Sequence, residues 1–301
     1  MPPAYSGGRM SDHAESVRTL LGEITEQLTE AGVPSPEVDA LLIVGHVLGV
    51  SRGRVQAMAI TDAAADAAQT ASVRTLAARR AAREPLQHLT GSAAFRALEL
   101  AVGPGVFVPR PETEQVAQLA IDALRAAAVP EPIAVDLGTG SGAIALALAT
   151  EVPTARVWAV EKSAEAYPWT QRNFEAVGAP NATLLAGDLA DPGLLPELAG
   201  RVDVVISNPP YVPDGAVPRD PEVRLFDPAM ALYGGPDGLD LVRALSRTAL
   251  RLAHPGGLLV IEHGELQGRA IRDLLAADGW RAPATHPDLA GRDRATTALR
   301  P

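Results

Sequence analysis

The sequence predicts an α/β fold in which a parallel sheet, with helices on both faces, follows a smaller helical domain. From residue 133 onward, short apolar and β-branched runs alternate with helical patterns, as in chains that build a parallel sheet. Over residues 16–84 the apolar side chains recur at helical spacing instead. We therefore expect a disordered extension (1–15), a helical domain (16–84), a linker or hairpin hinge (85–112) and the sheet domain (113–301).

Composition disfavours several classes of protein. The 301 residues contain no cysteine, so disulfide scaffolds and thiolate metal sites are excluded, no metal is expected, and a cytoplasmic location is the simplest expectation. We expect no membrane span and no secretory signal, because long uncharged apolar runs do not occur. The net charge of −10 disfavours a nucleic-acid partner, since phosphate binding needs a basic surface.

The helical domain is predicted as three segments. An amphipathic stripe over residues 17–28 predicts the first helix. The second begins at a capping serine followed by proline and stops at a glycine, over residues 35–49. A third, alanine-rich helix is predicted over residues 61–83, with Thr61 as its cap.

The hinge has weak strand character and contains two charged residues whose role the sequence leaves open. Residues 94–102 could pair with residues 105–108 in a hairpin, and Pro111 then opens a helix that runs to about Ala128. Arg110 and Glu112 flank this proline. They are either capping and surface charges or substrate-binding residues, and the pattern does not decide between these roles.

The sheet domain is predicted from alternating strands and helices. The predicted strands are residues 133–137, 156–160, 183–185, 202–207 and 257–261. The predicted connecting helices are residues 143–149, 166–177 and 239–252.

A glycine-rich turn follows the first strand, where open α/β sheets bind their ligands. It reads Gly138-Thr139-Gly140-Ser141-Gly142. Such a turn reverses the chain tightly and leaves backbone amides free to meet a ligand. Glu161, at the tip of the second strand, could accept both hydroxyls of a ribose. The same pattern also fits the dinucleotide fingerprint, so a nicotinamide cofactor is an alternative.

Three features favour S-adenosyl-L-methionine over a dinucleotide. Asp136 enters the turn as an acid that can receive a cationic ligand end. Asp188 ends the third strand, where an adenine amino group could bind. The fourth strand is followed by Asn208-Pro209-Pro210-Tyr211, which a hydride-transfer enzyme does not need.

The Asn208-Pro209-Pro210-Tyr211 loop, hereafter the NPPY loop, is stiff because each proline fixes its own φ and restricts the residue before it. It presents an amide side chain, backbone carbonyls and an aromatic ring. A planar amide or amino group could donate its two N–H bonds to the Asn208 oxygen and the Pro209 carbonyl, while Tyr211 packs on its face. The loop therefore predicts transfer of a group onto an sp² nitrogen, with these four residues as the catalytic set.

Taken together, these motifs resemble the peptide chain release factor N5-glutamine methyltransferases. The residues that carry the resemblance are Pro85–Gly91, Val108–Glu114, Asp136–Gly142, the NPPY loop, Glu222–Val223, Asp227–Pro228, Ala231–Leu232, Gly234–Gly235, Asp237–Leu239 and Glu262–Gly264. The resemblance implies a Rossmann-like, seven-stranded S-adenosylmethionine-dependent methyltransferase domain behind a substrate-binding helical domain. It implies class I release factors as the protein substrate, methylated on the glutamine of their Gly-Gly-Gln loop, and we expect a monomer.

Carried over by position, the resemblance assigns the donor site as well. Gly138–Gly142 would wrap the methionine end, Glu161 the ribose, and Asp188 with Leu189 the adenine, with Asn208 between donor and substrate. His263 is expected to be structural.

Two further alternatives remain at this stage. An N6-adenine or guanine methyltransferase acting on nucleic acid could use the same loop on a base amino group, but it would want a basic groove or a large recognition insert. A non-enzymatic adaptor that binds a translation factor would be expected to carry degenerate motifs, whereas the motifs here are intact.

Overall fold

The computed structural model describes residues 14–301, which form two compact units that divide between Thr90 and Gly91. The predicted disordered extension lies outside the described residues except for its last two positions. Of those, Glu15 joins Ser16 in a short strand, β1 (Glu15–Ser16), which pairs antiparallel with β2 (Ala64–Ala65).

The first unit is helical, as its apolar spacing predicts. Its helices are α1 (Val17–Glu30), α2 (Pro36–Leu48), α3 (Arg52–Ile60), α4 (Ala67–Ala81) and α5 (Leu86–Thr90). The stripe predicted for α1 is buried in a core with α2 and α4, and Gly49 ends α2 in a left-handed conformation. A buried ion pair of 2.7 Å joins Asp39 of α2 to Arg80 of α4.

The prediction of one long helix from Thr61 is wrong. Thr61 instead ends α3, and its hydroxyl donates to the Ala57 carbonyl at 3.0 Å. The alanine-rich helix starts later because Asp66 caps it. The Asp66 carboxylate accepts from the Gln69 N–H at 2.8 Å while the Gln69 side chain accepts from the Asp66 N–H at 3.0 Å, a reciprocal capping box.

The second unit opens with a hairpin whose partner strand was predicted wrongly. β3 (Ser92–Phe95) pairs with β4 (Leu98–Ala101), not with residues 105–108. The chain reverses within the run predicted as one strand because Arg96 adopts a positive φ of 53°. Its backbone N–H is held by the Glu114 carboxylate at 2.9 Å, which fixes this tight turn.

A seven-stranded sheet forms the centre of the second unit. Its strands are β5 (Ile133–Leu137), β6 (Arg156–Glu161), β7 (Ala182–Ala186), β8 (Val202–Ser207), β9 (Ala253–Glu262), β10 (Arg281–Pro287) and β11 (Asp293–Leu299). The spatial order is β10-β11-β9-β8-β5-β6-β7. The five strands predicted from periodicity are confirmed and pair in parallel, whereas β10 and β11 add an antiparallel edge.

Helices cover both faces of this sheet. They are α6 (Pro111–Ala126), α7 (Ala143–Glu151), α8 (Tyr167–Val177), α9 (Pro221–Phe226), α10 (Ala229–Leu232), α11 (Asp240–Leu252) and α12 (Gly268–Ala277), with a 3₁₀ turn at Pro196–Leu198. Helices α6, α7 and α8 pack into one apolar core, and α11 with α12 into another. In the part of the chain that is described, no helix is long and apolar enough to cross a membrane.

Asn173 of α8 ties the hairpin to the glycine-rich turn. Its carboxamide oxygen accepts from the Ala101 N–H at 2.7 Å, and its amide group donates to the Ala101 and Ser141 carbonyls at 3.0 and 2.8 Å. The residue is 2% exposed. One side chain therefore satisfies three backbone groups from two separate segments.

We expect Asn173→Ala to lower the free energy of unfolding by about 2–4 kcal/mol, because it strands buried backbone groups without partners. Arg172→Ala, at an exposed position of the same helix, is the matched control and should change stability by less than about 0.5 kcal/mol. Urea unfolding followed by tryptophan fluorescence measures both. Equal midpoints for the two variants would contradict the role given to Asn173.

Candidate active site

The predicted site residues stand at the carboxyl ends of neighbouring parallel strands. The glycine-rich turn follows β5, Glu161 ends β6, the NPPY loop follows β8, and β9 ends at Glu262. Because β8 lies between β5 and β9, these segments meet at one edge of the sheet.

The glycine-rich turn depends on glycine at three positions. Gly138, Gly140 and Gly142 have φ values of 76°, 57° and 86°, a region in which side chains with a Cβ are strained. The Asp136 side chain binds the turn through hydrogen bonds. Its Oδ2 accepts from the Thr139 hydroxyl at 2.6 Å and from a backbone N–H of α7 at 3.2 Å.

Asp136 is fully buried, and burial raises the pKa of its carboxyl to about 7, although its hydrogen bonds act in the opposite direction. Its contacts in this structure are therefore with the turn itself. The residue does not line the cavity in front of the turn, where a cationic ligand end was predicted to meet it.

Glu161 closes the turn from the next strand. Its two carboxylate oxygens accept from the Gly140 N–H at 2.7 Å and from the Ser163 N–H at 2.6 Å. Each oxygen has further lone-pair capacity, so the group can also accept the hydroxyls of a ribose. The structure thus places the predicted ribose acceptor against the predicted donor-binding turn.

Asp188 is paired with the only lysine of the chain. The ammonium group of Lys162 lies 2.8 Å from Oδ2, and the Ala190 N–H donates to Oδ1 at 2.9 Å. The hydrogen bond from Lys162 lowers the pKa of Asp188, which therefore stays ionised. Leu189 is buried beside it and presents an apolar wall.

These segments enclose one cavity, called the first cavity. The predicted residues that line it are Gly138, Thr139, Gly140, Ser141, Glu161, Asp188, Leu189, Asn208 and Pro210. Its wall combines the acceptor side chains of Glu161 and Asp188 with small and apolar residues, and a Cβ on Gly140 would meet no heavy atom of the described chain within 4 Å. This donor and acceptor set fits the ribose, adenine and methionine parts of S-adenosylmethionine.

The NPPY loop is held rigidly by the backbone that packs on it. A Cβ on Gly238 would lie 2.2 Å from the Tyr211 carbonyl oxygen, and one on Gly234 would lie 2.4 Å from that of Pro210. The Gln267 amide also donates to the Tyr211 carbonyl at 2.9 Å. Only glycine permits this approach, so the loop is fixed by its contacts as well as by its prolines.

A second cavity opens on the other side of Asn208. Among the predicted residues, Arg110, Glu112, Asn208 and Tyr211 line it. Burial raises the pKa of Tyr211 to about 12, so its ring stays neutral. Asn208 lines both cavities, as do Phe107 and Ala231, whereas Pro209 is buried and lines neither.

Arg110 contacts the loop that closes the second cavity. Its guanidinium donates to the Asp227 carboxylate at 2.7 Å and lies 5.0 Å from the centre of the Phe107 ring. Burial raises the pKa of Asp227 to about 6, against the effect of Arg110. The Arg110 side chain thus forms an ion pair instead of capping α6, while Glu112 lies 3.5 Å from Arg292.

Glu262 received no role from the sequence, yet it also lines the second cavity. It is 2% exposed, and burial raises the pKa of its carboxyl to about 7. In the sequence, Glu262 is visible only as an acidic residue at the end of the fifth predicted strand. The order of the strands in the sheet is what places this residue beside the NPPY loop. The neighbouring His263 is structural, with its ring bonded to the Gly264 carbonyl and the Thr296 hydroxyl at 2.9 Å each.

Comparison with known proteins identifies relatives over nearly the full length. A family profile described as the PrmC N-terminal domain matches residues 19–91, and one described as the methyltransferase small domain matches residues 97–233. The release factor glutamine methyltransferase of Streptomyces coelicolor is 51% identical over 93% of this chain and 97% of that protein. Those of Bifidobacterium longum and Mycolicibacterium smegmatis are 43% and 46% identical, covering 92% and 94% of this chain and 97% and 98% of those proteins.

We expect Glu161→Ala to weaken binding of S-adenosylmethionine about 10-fold to 100-fold, because its hydrogen bonds to the ribose and to the turn are lost together. Isothermal titration calorimetry measures the change. Glu175→Ala, at an exposed position of α8, is the control and should bind like the wild type. Unchanged affinity in the Glu161 variant would exclude its assigned role.

Proposed function

The chain belongs to the release factor glutamine methyltransferase family, and from this premise we propose that it methylates the N5 atom of the glutamine in the Gly-Gly-Gln loop of class I release factors. The observation that carries the proposal is the place of Asn208. The residue lines both the first cavity, which fits S-adenosylmethionine, and the second cavity, which can take a side-chain amide.

The residues of the first cavity would hold the methyl donor. Glu161 has acceptor capacity for the ribose, Asp188 and Leu189 flank the place for the adenine, and the glycine-rich turn leaves room for the methionine end. S-adenosylmethionine supplies a methyl group on a sulfonium sulfur, which is already a good leaving group. The protein therefore has to position the acceptor nitrogen more than it has to activate it.

The residues of the NPPY loop would position that nitrogen. An amide nitrogen is a poor nucleophile because its lone pair is delocalised into the carbonyl group. A hydrogen bond from one of its N–H groups to the Asn208 oxygen would fix its direction and favour the positive charge that develops on it. The Pro209 carbonyl, expected from the sequence to accept from the other N–H group, could do so only if the substrate reaches past the lining of the second cavity, since Pro209 is buried. The neutral Tyr211 ring lines the same cavity and can pack on the flat amide.

A bound S-adenosylmethionine would supply the methyl group, and the amide nitrogen that accepts it would have to release one of its two protons, which water can take up. No base is required before this step, because the leaving group is already activated. Proton loss can then follow methyl transfer.

The remaining parts of the proposal concern the surroundings of this site. We propose that residues 16–84 supply contacts to the release factor, with Arg110 and Glu112 as further contacts at the second cavity. The charge of −10 supports a protein substrate over a nucleic acid. We also propose that the enzyme acts as a monomer in the cytoplasm, where release factors work.

We expect Asn208→Ala to lower kcat roughly 10²-fold to 10³-fold, because an acceptor that positions the amide is lost. Binding of S-adenosylmethionine should change little, since Asn208 forms only one edge of the first cavity. Steady-state kinetics with a purified class I release factor measures kcat, and calorimetry measures donor binding. A variant with unchanged kcat would remove Asn208 from the mechanism.

The substrate itself is tested by transfer of labelled methyl from S-adenosylmethionine. The wild-type release factor should become labelled, and a factor with the loop changed to Gly-Gly-Ala should not. Label on DNA or RNA under matched conditions, with none on the release factor, would overturn the proposed substrate.

A further inference from the structure

Three buried polar side chains line the two cavities. They are Thr113 from α6, Glu262 from β9 and Arg294 from β11, and their atoms Oγ1, Oε2 and Nε have no hydrogen bond of standard geometry within residues 14–301, although the Thr113 hydroxyl and the Asn208 amide lie near enough to the Glu262 carboxyl to stabilise its ionised form. Thr113 lines the first cavity, and Glu262 and Arg294 line the second. Buried polar groups in folded proteins are normally hydrogen-bonded, so this cluster points to polar partners that it gains when the site is filled.

The sheet places Glu262 directly beside Asn208. Strands β8 and β9 are parallel neighbours with Ser207 opposite Ile261, so the next residue of each strand lies at the same level of the sheet edge. The pKa of the Glu262 carboxyl depends in part on this neighbour. Burial raises its pKa, and Thr113, Arg294 and the Asn208 amide act to lower it.

A carboxamide can face a substrate amide in only one productive way. The N–H groups of the substrate need an acceptor, which is the Asn208 oxygen and not its amide group. An ionised carboxylate accepts hydrogen bonds only, so it pairs with the Asn208 amide group and turns the oxygen away from itself. A protonated carboxyl can donate to that oxygen instead, which turns the amide group toward the substrate.

We propose that Glu262 is a positioning residue whose carboxylate fixes the Asn208 carboxamide with its oxygen toward the substrate amide. The proposal rests on the proposed function and deepens it, because it adds a residue that selects the productive orientation of the acceptor. Glu262 acts through Asn208 and makes no contact with the methyl donor.

A pH dependence follows from the buried carboxyl. Its pKa of about 7 means that Glu262 is ionised above neutral pH and protonated below it, so the productive orientation of Asn208 is gained as pH rises through about 7. The other titratable or charged groups that line this cavity are Arg110, Glu112, Tyr211, Asp220 and Arg294. Near them are Asp227, bonded to Arg110 with a pKa of about 6, and His263, whose pKa is lowered by burial.

The first test observes the Asn208 amide group directly. The chain has only three asparagines, so selective ¹⁵N labelling gives three side-chain NH₂ signals, and Asn208→Ala assigns one of them. We expect the Asn208 signal to shift with pH with a midpoint near 7. In Glu262→Gln the shift should disappear, while Glu112→Gln and Asp220→Asn, which change the other acids of the cavity, should keep it. A signal that does not move with pH, or that moves equally in Glu262→Gln, overturns the proposal.

The second test measures methyl transfer. Glu262→Gln should lower kcat about 10-fold, because a neutral side chain no longer selects one orientation, with little change in the KM for the release factor. The rise of kcat through pH 7 seen in the wild type should be absent in this variant. A variant with wild-type kcat and the wild-type pH profile contradicts the positioning role.

The two tests separate this inference from the proposed function. The NMR titration needs no substrate, so it decides the Glu262–Asn208 contact even if no release factor is methylated. Wild-type enzyme without activity on the release factor would reject the substrate assignment. Active wild-type enzyme with an unaffected Glu262 variant would reject the positioning role alone.

Discussion

The parallel pairing of β8 with β9 is the constraint on which the site depends. This pairing sets Ser207 opposite Ile261 and so brings the NPPY loop beside Glu262. On its other side β8 pairs with β5, which carries the glycine-rich turn. A slip of one residue in either ladder would reverse the faces of every side chain at the sheet edge, so the register that builds the core also builds the site.

Two carboxyl groups buried at this edge of the sheet lower the free energy of unfolding when they ionise. Burial raises the pKa of both Asp136 and Glu262 to about 7, from 3.8 and 4.5. Because their folded-state pKa values lie above the unfolded values, folding takes up protons between them, and stability from these groups is lost as pH rises through about 7. The ionised form that positions Asn208 is therefore the form that costs stability, and the surrounding cores must compensate for it.

Local signals in the sequence predict the five parallel strands, the glycine-rich turn and the stiffness of the NPPY loop, because each depends on residues next to one another, whereas the antiparallel strands β10 and β11 were not among the strands predicted. The structure differs from the sequence-based expectation where single contacts decide. The alanine-rich helix starts at Asp66 and not at Thr61, because the reciprocal capping box with Gln69 fixes its first turn. The hairpin closes at Arg96, whose positive φ has no sequence pattern, and does not extend to residues 105–108. The place of Glu262 depends on which strand lies next to β8, which the local sequence does not encode.

The place of Asn208 between two cavities also limits how the reaction can be organised. In the proposed function the first cavity holds the methyl donor and the second cavity the acceptor amide, and Asn208 lines both. Efficient transfer then requires that this side chain have a single orientation, since the barrier is lowered mainly by alignment. The prolines fix the backbone of the loop but leave the carboxamide free to turn about its last bond. The ionised Glu262 carboxylate on the neighbouring strand would hold the Asn208 amide group and so prevent this rotation. This role gives a physical reason for burying an acid at this position.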